Sequence, residues 1–352
     1  MSPSSPKKDK NRTKEKKSTL RRILLYLAIL LFIFWLLTVS WMKFFYDPQE
    51  DEENAFVDKI YSLYNSDSTN SLSDKLDGIT TETPNLDVHK KTNLHLEDRD
   101  EFEPTMDSFL NERELSIKNI DALFENMKSP KEISASHSTF GKEVLYIYHT
   151  HSRESFLPYL KNTKKPEEAY HSIANITLVG ELLGRALERR GVGTIVDSTD
   201  IVQELEARDL KYNSSYNVSG DLARSAQRDN KDLEIFIDVH RDSLSSDSTT
   251  IEMNGLNYAR LLFVIGTGHK DFEKNLTFAK ELQTILDTQY LGLSKGIIEK
   301  GSNQGNGVYN QDISPNSIIL EIGGVDNTVE ELHRSTEIFA DVLSEYYFHE
   351  EK

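Results

Sequence analysis

The chain has 352 residues, 41 basic and 58 acidic side chains for a formal net charge of −17, and no cysteine. This excludes disulfides, thiol nucleophiles and cysteine-based zinc knuckles, and it argues against general nucleic-acid binding, which needs a basic footprint. The length would allow two domains, but the uneven composition reads as a single domain carried on an anchor and a stalk.

Residues 1–22 hold nine Lys/Arg (Lys7, Lys8, Lys10, Arg12, Lys14, Lys16, Lys17, Arg21 and Arg22) against two acids. Ile23 to Met42 then runs for 20 positions without a charge. A helix of that length spans about 30 Å, the hydrocarbon thickness of a bilayer. Trp35, Trp41 and Tyr46 suit an aromatic interface at its far end. The basic tail is expected in the cytoplasm and the C-terminal part across the membrane. The apolar run is too long for a signal-peptide core, and no small-residue cleavage site follows it, so it reads as an uncleaved single-pass anchor. Residues 43–140 are rich in Asp, Glu, Ser, Asn and Lys with few apolar positions. They read as a largely disordered extracytoplasmic stalk, with short amphipathic pieces at 56–64 and 117–127.

From residue 141 to the end, strand-like and helix-like runs alternate. Val144 to Tyr148, Gly193 to Val196, Ile235 to Val239, Arg260 to Ile265 and Ile318 to Ile322 read as strands. Helices are expected at Asn175 to Arg190, closed by Gly191, at Asp221 to Asp229 and at Phe272 to Leu286. A last one runs to about Tyr347 and opens on the capping box Thr328-Val329-Glu330-Glu331. This alternation indicates an α/β domain with a mainly parallel sheet flanked by helices.

Ligands gather at the carboxyl ends of parallel strands. There stand His149-Thr150-His151 with Glu154 three residues on, His240 after the third strand, and Glu321 after Ile318-Ile319-Leu320. Zinc takes imidazoles and carboxylates, and a catalytic site uses three protein ligands and keeps one position open. The candidates are His149, His151, Glu154, His171, His240 and Glu321, with Asp238, Asp242 or Ser243 as an orienting acceptor near His240. Glu321 stands where the pattern demands an apolar residue, before Gly323-Gly324. It is either a functional carboxylate or the partner of Arg241 or Arg153. Ser155 and Ser243 lie near histidines, but no G-x-S-x-G elbow supports a serine hydrolase. Gly266-Thr267-Gly268 lacks the remaining residues of a phosphate loop. Asn310-Gln311-Asp312 reads equally as the lining of a substrate groove or as an ordinary turn.

Four segments together resemble the stage II sporulation protein P family: Tyr148-His149-Thr150-His151-Ser152-Arg153-Glu154-Ser155-Phe156, Asp238-Val239-His240-Arg241-Asp242, Tyr309-Asn310-Gln311-Asp312 and Leu320-Glu321-Ile322-Gly323-Gly324. The resemblance covers about residues 143–347. It implies a zinc-dependent peptidoglycan hydrolase of the N-acetylmuramoyl-L-alanine amidase type, with a fold similar to the cell-wall amidases and a second activity on peptide cross-links. It further implies work at the sporulation septum during engulfment, beside stage II sporulation proteins D, a lytic transglycosylase, and M. By motif, His151 and His240 look like zinc ligands and Glu321 like the catalytic carboxylate. The third ligand is Glu154 or His171, with Glu154 preferred. His149, Arg241 and Asp242 stand as alternatives or supporting neighbours, and Asn310 and Gln311 as substrate-binding residues. The rival expectation is a non-catalytic wall-binding scaffold that recruits another hydrolase.

Overall fold

A computed structural model describes residues 104–109, 111–127 and 137–350, all within the compact unit 94–352. The tail at 1–22, the anchor at 23–42 and the amphipathic piece at 56–64 lie outside the described residues. Among the described residues no helix is long and apolar enough to cross a membrane.

The apolar runs form the centre of a six-stranded sheet. In chain order the strands are β1 (Glu143–Tyr148), β2 (Gly193–Val196), β3 (Ile235–Asp242), β4 (Thr250–Met253), β5 (Leu256–Ala259), β6 (Leu261–Gly266), β7 (Ser294–Lys300) and β8 (Asn316–Gly324). The sheet order is β2-β1-β3-β8-β6-β7, and β4 and β5 form a separate hairpin. All neighbours in the main sheet run parallel except β8 and β6, which are antiparallel. The expected mainly parallel sheet is therefore present with its last two strands reversed.

That reversal separates two ends of the sheet. Glu321 pairs with Leu262 near the start of β6, so Gly266-Thr267-Gly268, after the end of β6, lies at the opposite edge from His240 and Glu321. The Thr267 and Gly268 amides donate to Lys300 O and Gly307 O, each within 2.9 Å, which leaves no phosphate cradle there.

The helices are α1 (Ile120–Glu125), α2 (Ile176–Arg189), α3 (Ile201–Ala207), α4 (Ser215–Asp229), the single turn α5 (Ser246–Thr249), α6 (Phe272–Gln289) and α7 (Val329–Glu350). Leu145, Ile147, Ile237, Val239, Ile318 and Leu320 point to one face and pack with the apolar sides of α2, α6 and α7. Tyr146, Tyr148 and Phe236 point to the other, against Ala223 of α4. Burial on both faces is why these strands read as unbroken apolar runs. Asn175 caps α2 by accepting from Thr177 N. The expected box opens α7, where the Thr328 amide donates to Glu331 Oε2 at 2.9 Å.

Part of the stretch expected to be disordered folds onto the domain, so the boundary at 141 moves upstream. Ile120 and Phe124 of α1 enter the main core, and Arg185 of α2 donates to Phe124 O at 3.2 Å. Leu115 bridges Leu160, and Ser116 N and Lys161 N donate to Tyr159 O and Glu114 O, both at 2.8 Å. Apolar residues are few here, but Phe109, Ile120 and Phe124 are each buried, and each side chain of that size contributes about 1.5–3 kcal/mol.

Gly180 is where α2 crosses the end of β1. A Cβ at that position would lie 2.1 Å from His149 Nε2. Gly180→Ala is expected to destabilise the domain by about 1–3 kcal/mol through overpacking, read as a lower denaturation midpoint. An unchanged midpoint would mean His149 moves away freely.

Candidate metal centre

Strand β1 ends at Tyr148, and the next three residues part company. His149 keeps the alternation and turns under α2. Its Nδ1 lies 3.1 Å from Asp197 O, and burial lowers its pKa to about 4. Thr150 is fixed by its amide, which donates to Asp238 Oδ1 at 2.8 Å. His151 emerges on the α4 face. A turn, Glu154 N to His151 O at 3.0 Å, then brings Glu154 back beside it.

His151, Glu154 and His240 meet. His151 Nδ1 lies 3.2 Å from Glu154 Oε1, and His240 Nδ1 lies 3.5 Å from Glu154 Oε2. Ligand atoms at ~2.0–2.1 Å from a tetrahedral zinc stand about 3.3 Å apart, so the donor set fits such an ion. The His240 and Glu154 side chains are 5% and 11% exposed, whereas His151 is 27% exposed. The cluster is thus closed beneath and open beside His151, where water or substrate can approach.

The surroundings hold these donors in place. Arg241 N donates to Glu154 Oε2 at 3.0 Å. The Arg241 guanidinium donates to Ser155 O at 3.0 Å and Ala169 O at 3.1 Å and lies over the Tyr170 ring. Arg241 therefore fastens the loop that carries Glu154 rather than facing a ligand. Asp238 Oδ1 lies 3.1 Å from His240 Nε2 as a counter-charge, although that buried nitrogen has no hydrogen-bond partner. Tyr212 and Tyr216, one helical turn apart, flank His151 with ring centroids at 5.2 and 5.6 Å.

Burial alone would lower the His240 pKa, but Asp238 and Glu154 outweigh it and hold it well above the ordinary range. Burial would raise Glu154, yet His240, His151 and Arg241 pull it well below. A cation must displace the His240 proton, so affinity rises with pH until that imidazole is neutral. Adding zinc to metal-free protein near pH 7 is expected to release a proton, measured by calorimetry in buffers of different ionisation enthalpy. A heat independent of buffer would contradict this.

Glu321 pairs with His240 in the β3–β8 register. Its Oε2 is buried without a hydrogen-bond partner. Burial raises its pKa to about 7, with Asp242 and Glu154 adding to the rise and His240 opposing it. The bland expectation of a salt bridge is not met: Arg153 bonds Asp200 and faces Glu112, and Arg241 is spent on backbone carbonyls.

Several sequence candidates take other roles. His171 Nδ1 accepts from Ile173 N at 2.9 Å and Ala174 N at 3.1 Å, and its Nε2 faces Glu112. It shapes the loop before α2 and does not join the cluster. Asp242 pairs with the buried Lys295 Nζ at 2.8 Å. Gln311 is not a groove residue: its amide bridges Gly266 N and Val264 O, within the sheet. Asn310 lies beside a cleft of about 370 Å³, along with Tyr216, Arg224 and Asp312. Both its amide hydrogens are directed inward, to Tyr216 O and Ser219 Oγ. Tyr212 and Tyr216 are functional neighbours whose signal in the sequence is a pair of aromatics four apart at a helix start.

The family profile for Stage II sporulation protein P matches residues 56–344. The chain belongs to that family. Stage II sporulation protein P of Bacillus subtilis (strain 168) is 43% identical over 241 residues, a match covering 68% of this chain and 60% of that protein. The chain thus matches less than two thirds of the relative's length. Among solved structures, an N-acetylmuramoyl-L-alanine amidase from Clostridium difficile 630 is similar at 12% identity and a TM-score of 0.34, over 58% of this chain and 97% of that one. A metallo-carboxypeptidase from Burkholderia cenocepacia is similar at 11% identity and a TM-score of 0.31, over 61% and 60%. In this member of the Stage II sporulation protein P family, His151, Glu154, His240 and Glu321 all fall within the matched segment.

Proposed function

We propose that this sporulation protein is a zinc-dependent peptidoglycan hydrolase of the N-acetylmuramoyl-L-alanine amidase type. The single observation that carries the reading is a carboxylate, Glu321, whose Oε2 is buried without a hydrogen-bond partner beside a His151–Glu154–His240 group spaced for one cation. When bound, zinc supplies a lowered pKa for water and polarises the amide carbonyl. Glu321, raised to about 7, is matched to accept a proton from water and deliver it to the leaving amine. His151, at the open side, borders the approach of the substrate, and Tyr212 and Tyr216 limit its motion.

In this reading, residues 23–42 anchor the protein in the cell membrane, with the domain on the extracytoplasmic side at the sporulation septum. Peptidoglycan is the substrate, cleavage of peptide cross-links is a second activity, and stage II sporulation proteins D and M work beside it.

The test is a digest of isolated sacculi by the purified full chain in detergent, with released fragments identified by mass spectrometry. Free stem peptides and new amino ends that vanish with chelator are expected. Cross-link cleavage alone would replace the amidase reading with an endopeptidase. Binding to sacculi without cleavage would replace it with the non-catalytic scaffold.

A further inference from the structure

We infer that the polar cleft between α4 and the loop before β8 is a saccharide subsite, which seats a sugar of the glycan strand near the scissile amide. The inference rests on the hydrolase reading above and names the part of the substrate held there.

The cleft encloses about 370 Å³ and begins one side chain away from the metal group. Tyr216 lines it, and its ring stands edge-on to His151, the exposed member of the cluster, with centroids 5.6 Å apart. One wall is a stripe of α4, on which Asn217, Asp221 and Arg224 share a face. The other wall is the loop that carries Asn306, Val308 and Asp312. Between the walls, Asn310 Oδ1 and Arg224 Nη1 meet over Gly220, where a Cβ would lie 2.4 and 2.6 Å from them. Glycine inside a helix costs about 1 kcal/mol relative to alanine, and here its missing side chain makes room for two polar atoms. The loop is held in an uncommon shape as well. Tyr309 and Asn310 both have positive φ, 54° and 58°, and backbone of that kind gathers at ligand clamps.

The lining chemistry selects the ligand. Apart from Tyr216 and Val308 it consists of carboxamides, carboxylates and one guanidinium. Each is a flat group with two hydrogen-bonding atoms side by side, which suits neighbouring hydroxyl and acetamido groups on a sugar ring. A peptide asks for a free strand edge or for apolar side-chain pockets. Neither borders this cleft: β6 and β8 are paired on both sides, and Val308 is the one aliphatic side chain in the lining. The charge agrees. Arg224 donates to Asp312 Oδ1 at 2.9 Å and Oδ2 at 3.1 Å, which leaves Asp221 as surplus negative charge. That opposes a stem peptide with its carboxylates and is indifferent to an uncharged N-acetylated sugar. In an N-acetylmuramoyl amide only the lactyl ether separates the scissile carbonyl from a sugar ring, so a sugar must sit close to the open side of the metal group.

The experiment titrates the metal-free full chain, in a detergent without a sugar headgroup, with a tetramer of N-acetylglucosamine and separately with free stem peptide. Affinity is read by ligand-observed NMR. Wild type is expected to bind the tetramer. Asn217→Ala is expected to weaken that binding about 2–10-fold and Asp221→Ala about 10-fold, the loss of a neutral and of a charged hydrogen bond. In digests of sacculi both variants are expected to raise the half-saturating substrate by similar factors. Either variant serves alone if circular dichroism shows the other unfolded. No tetramer binding by wild type, wild-type affinity in the folded variants, or a stem peptide whose binding these variants weaken instead, overturns the inference. Tetramer binding weakened by the variants, in a chain that digests no sacculi, would remove the hydrolase reading and leave the saccharide subsite standing. Digestion without tetramer binding would remove the subsite alone.

Discussion

Replacing Glu321 by Gln is expected to leave zinc bound and to slow release of stem peptides by about 10²–10⁴-fold, the usual contribution of a positioned acid–base group. The amide keeps the size of the side chain and removes its ability to take a proton. Glu321 belongs to β8, whose neighbours β3 and β6 hold it by backbone pairing on both sides, so the substitution has little structure to disturb. It also removes a buried carboxylate whose pKa has been raised to about 7. In metal-free protein such a group favours folding below its unfolded value and opposes it as pH rises through about 7. The variant is therefore expected to melt higher than wild type near pH 8, with the difference vanishing toward pH 4. Zinc content, turnover on sacculi and melting temperature against pH check the three claims together. Full turnover in the variant would remove Glu321 from the mechanism.

Glu154→Gln and His171→Gln are expected to diverge sharply. Glu154 is the carboxylate between two imidazoles. Its loss is expected to abolish stoichiometric zinc and to destabilise the metal-free domain by about 3 kcal/mol, because His240 then loses one of its two buried counter-charges. His171 accepts two backbone amides in the loop before α2. Its substitution is expected to cost some stability and leave zinc stoichiometry intact. Metal analysis after gel filtration and thermal melts separate the outcomes. Zinc retained by Glu154→Gln and lost by His171→Gln would exchange the two residues in the ligand set.

The buried strands are legible because a strand covered on both faces must be apolar where it crosses the core, and the runs Val144–Tyr148 of β1, Ile235–Ile237 of β3 and Ile318–Leu320 of β8 are. Their polar ends stood out for the same reason, and so His151, Glu154, His240 and Glu321 could be picked from the chain. Edge strand β7, with Lys295, Gly296, Glu299 and Lys300 in seven residues, obeys no such demand. Charges and glycine are what a sheet edge tolerates, so its pattern does not mark it as a strand. The hairpin β4–β5 turns on Asn254-Gly255, both with positive φ, a strong local signal overlooked beside the apolar runs. The fates of His149 and His171 depended on contacts from elsewhere in the chain, Gly180 and Asp197 for one, Glu112 for the other. Gln311 read as a groove residue because polarity alone does not tell a side chain that meets substrate from one that completes a strand's backbone bonding.

Residues 104–118 bear on how the domain responds to being held. Phe109 packs its ring against Tyr170 and Tyr212, Glu112 faces Arg153 and accepts from Ser172 Oγ, and Leu115 pairs with Leu160. Tyr212 in turn stacks on His151. A pull on the chain upstream of Pro104 therefore loads the Glu154 loop before it loads the sheet. Tension applied at that point would peel these side-chain contacts first, loosening the His151–Glu154–His240 group while the barrier to unfolding the strands stays intact.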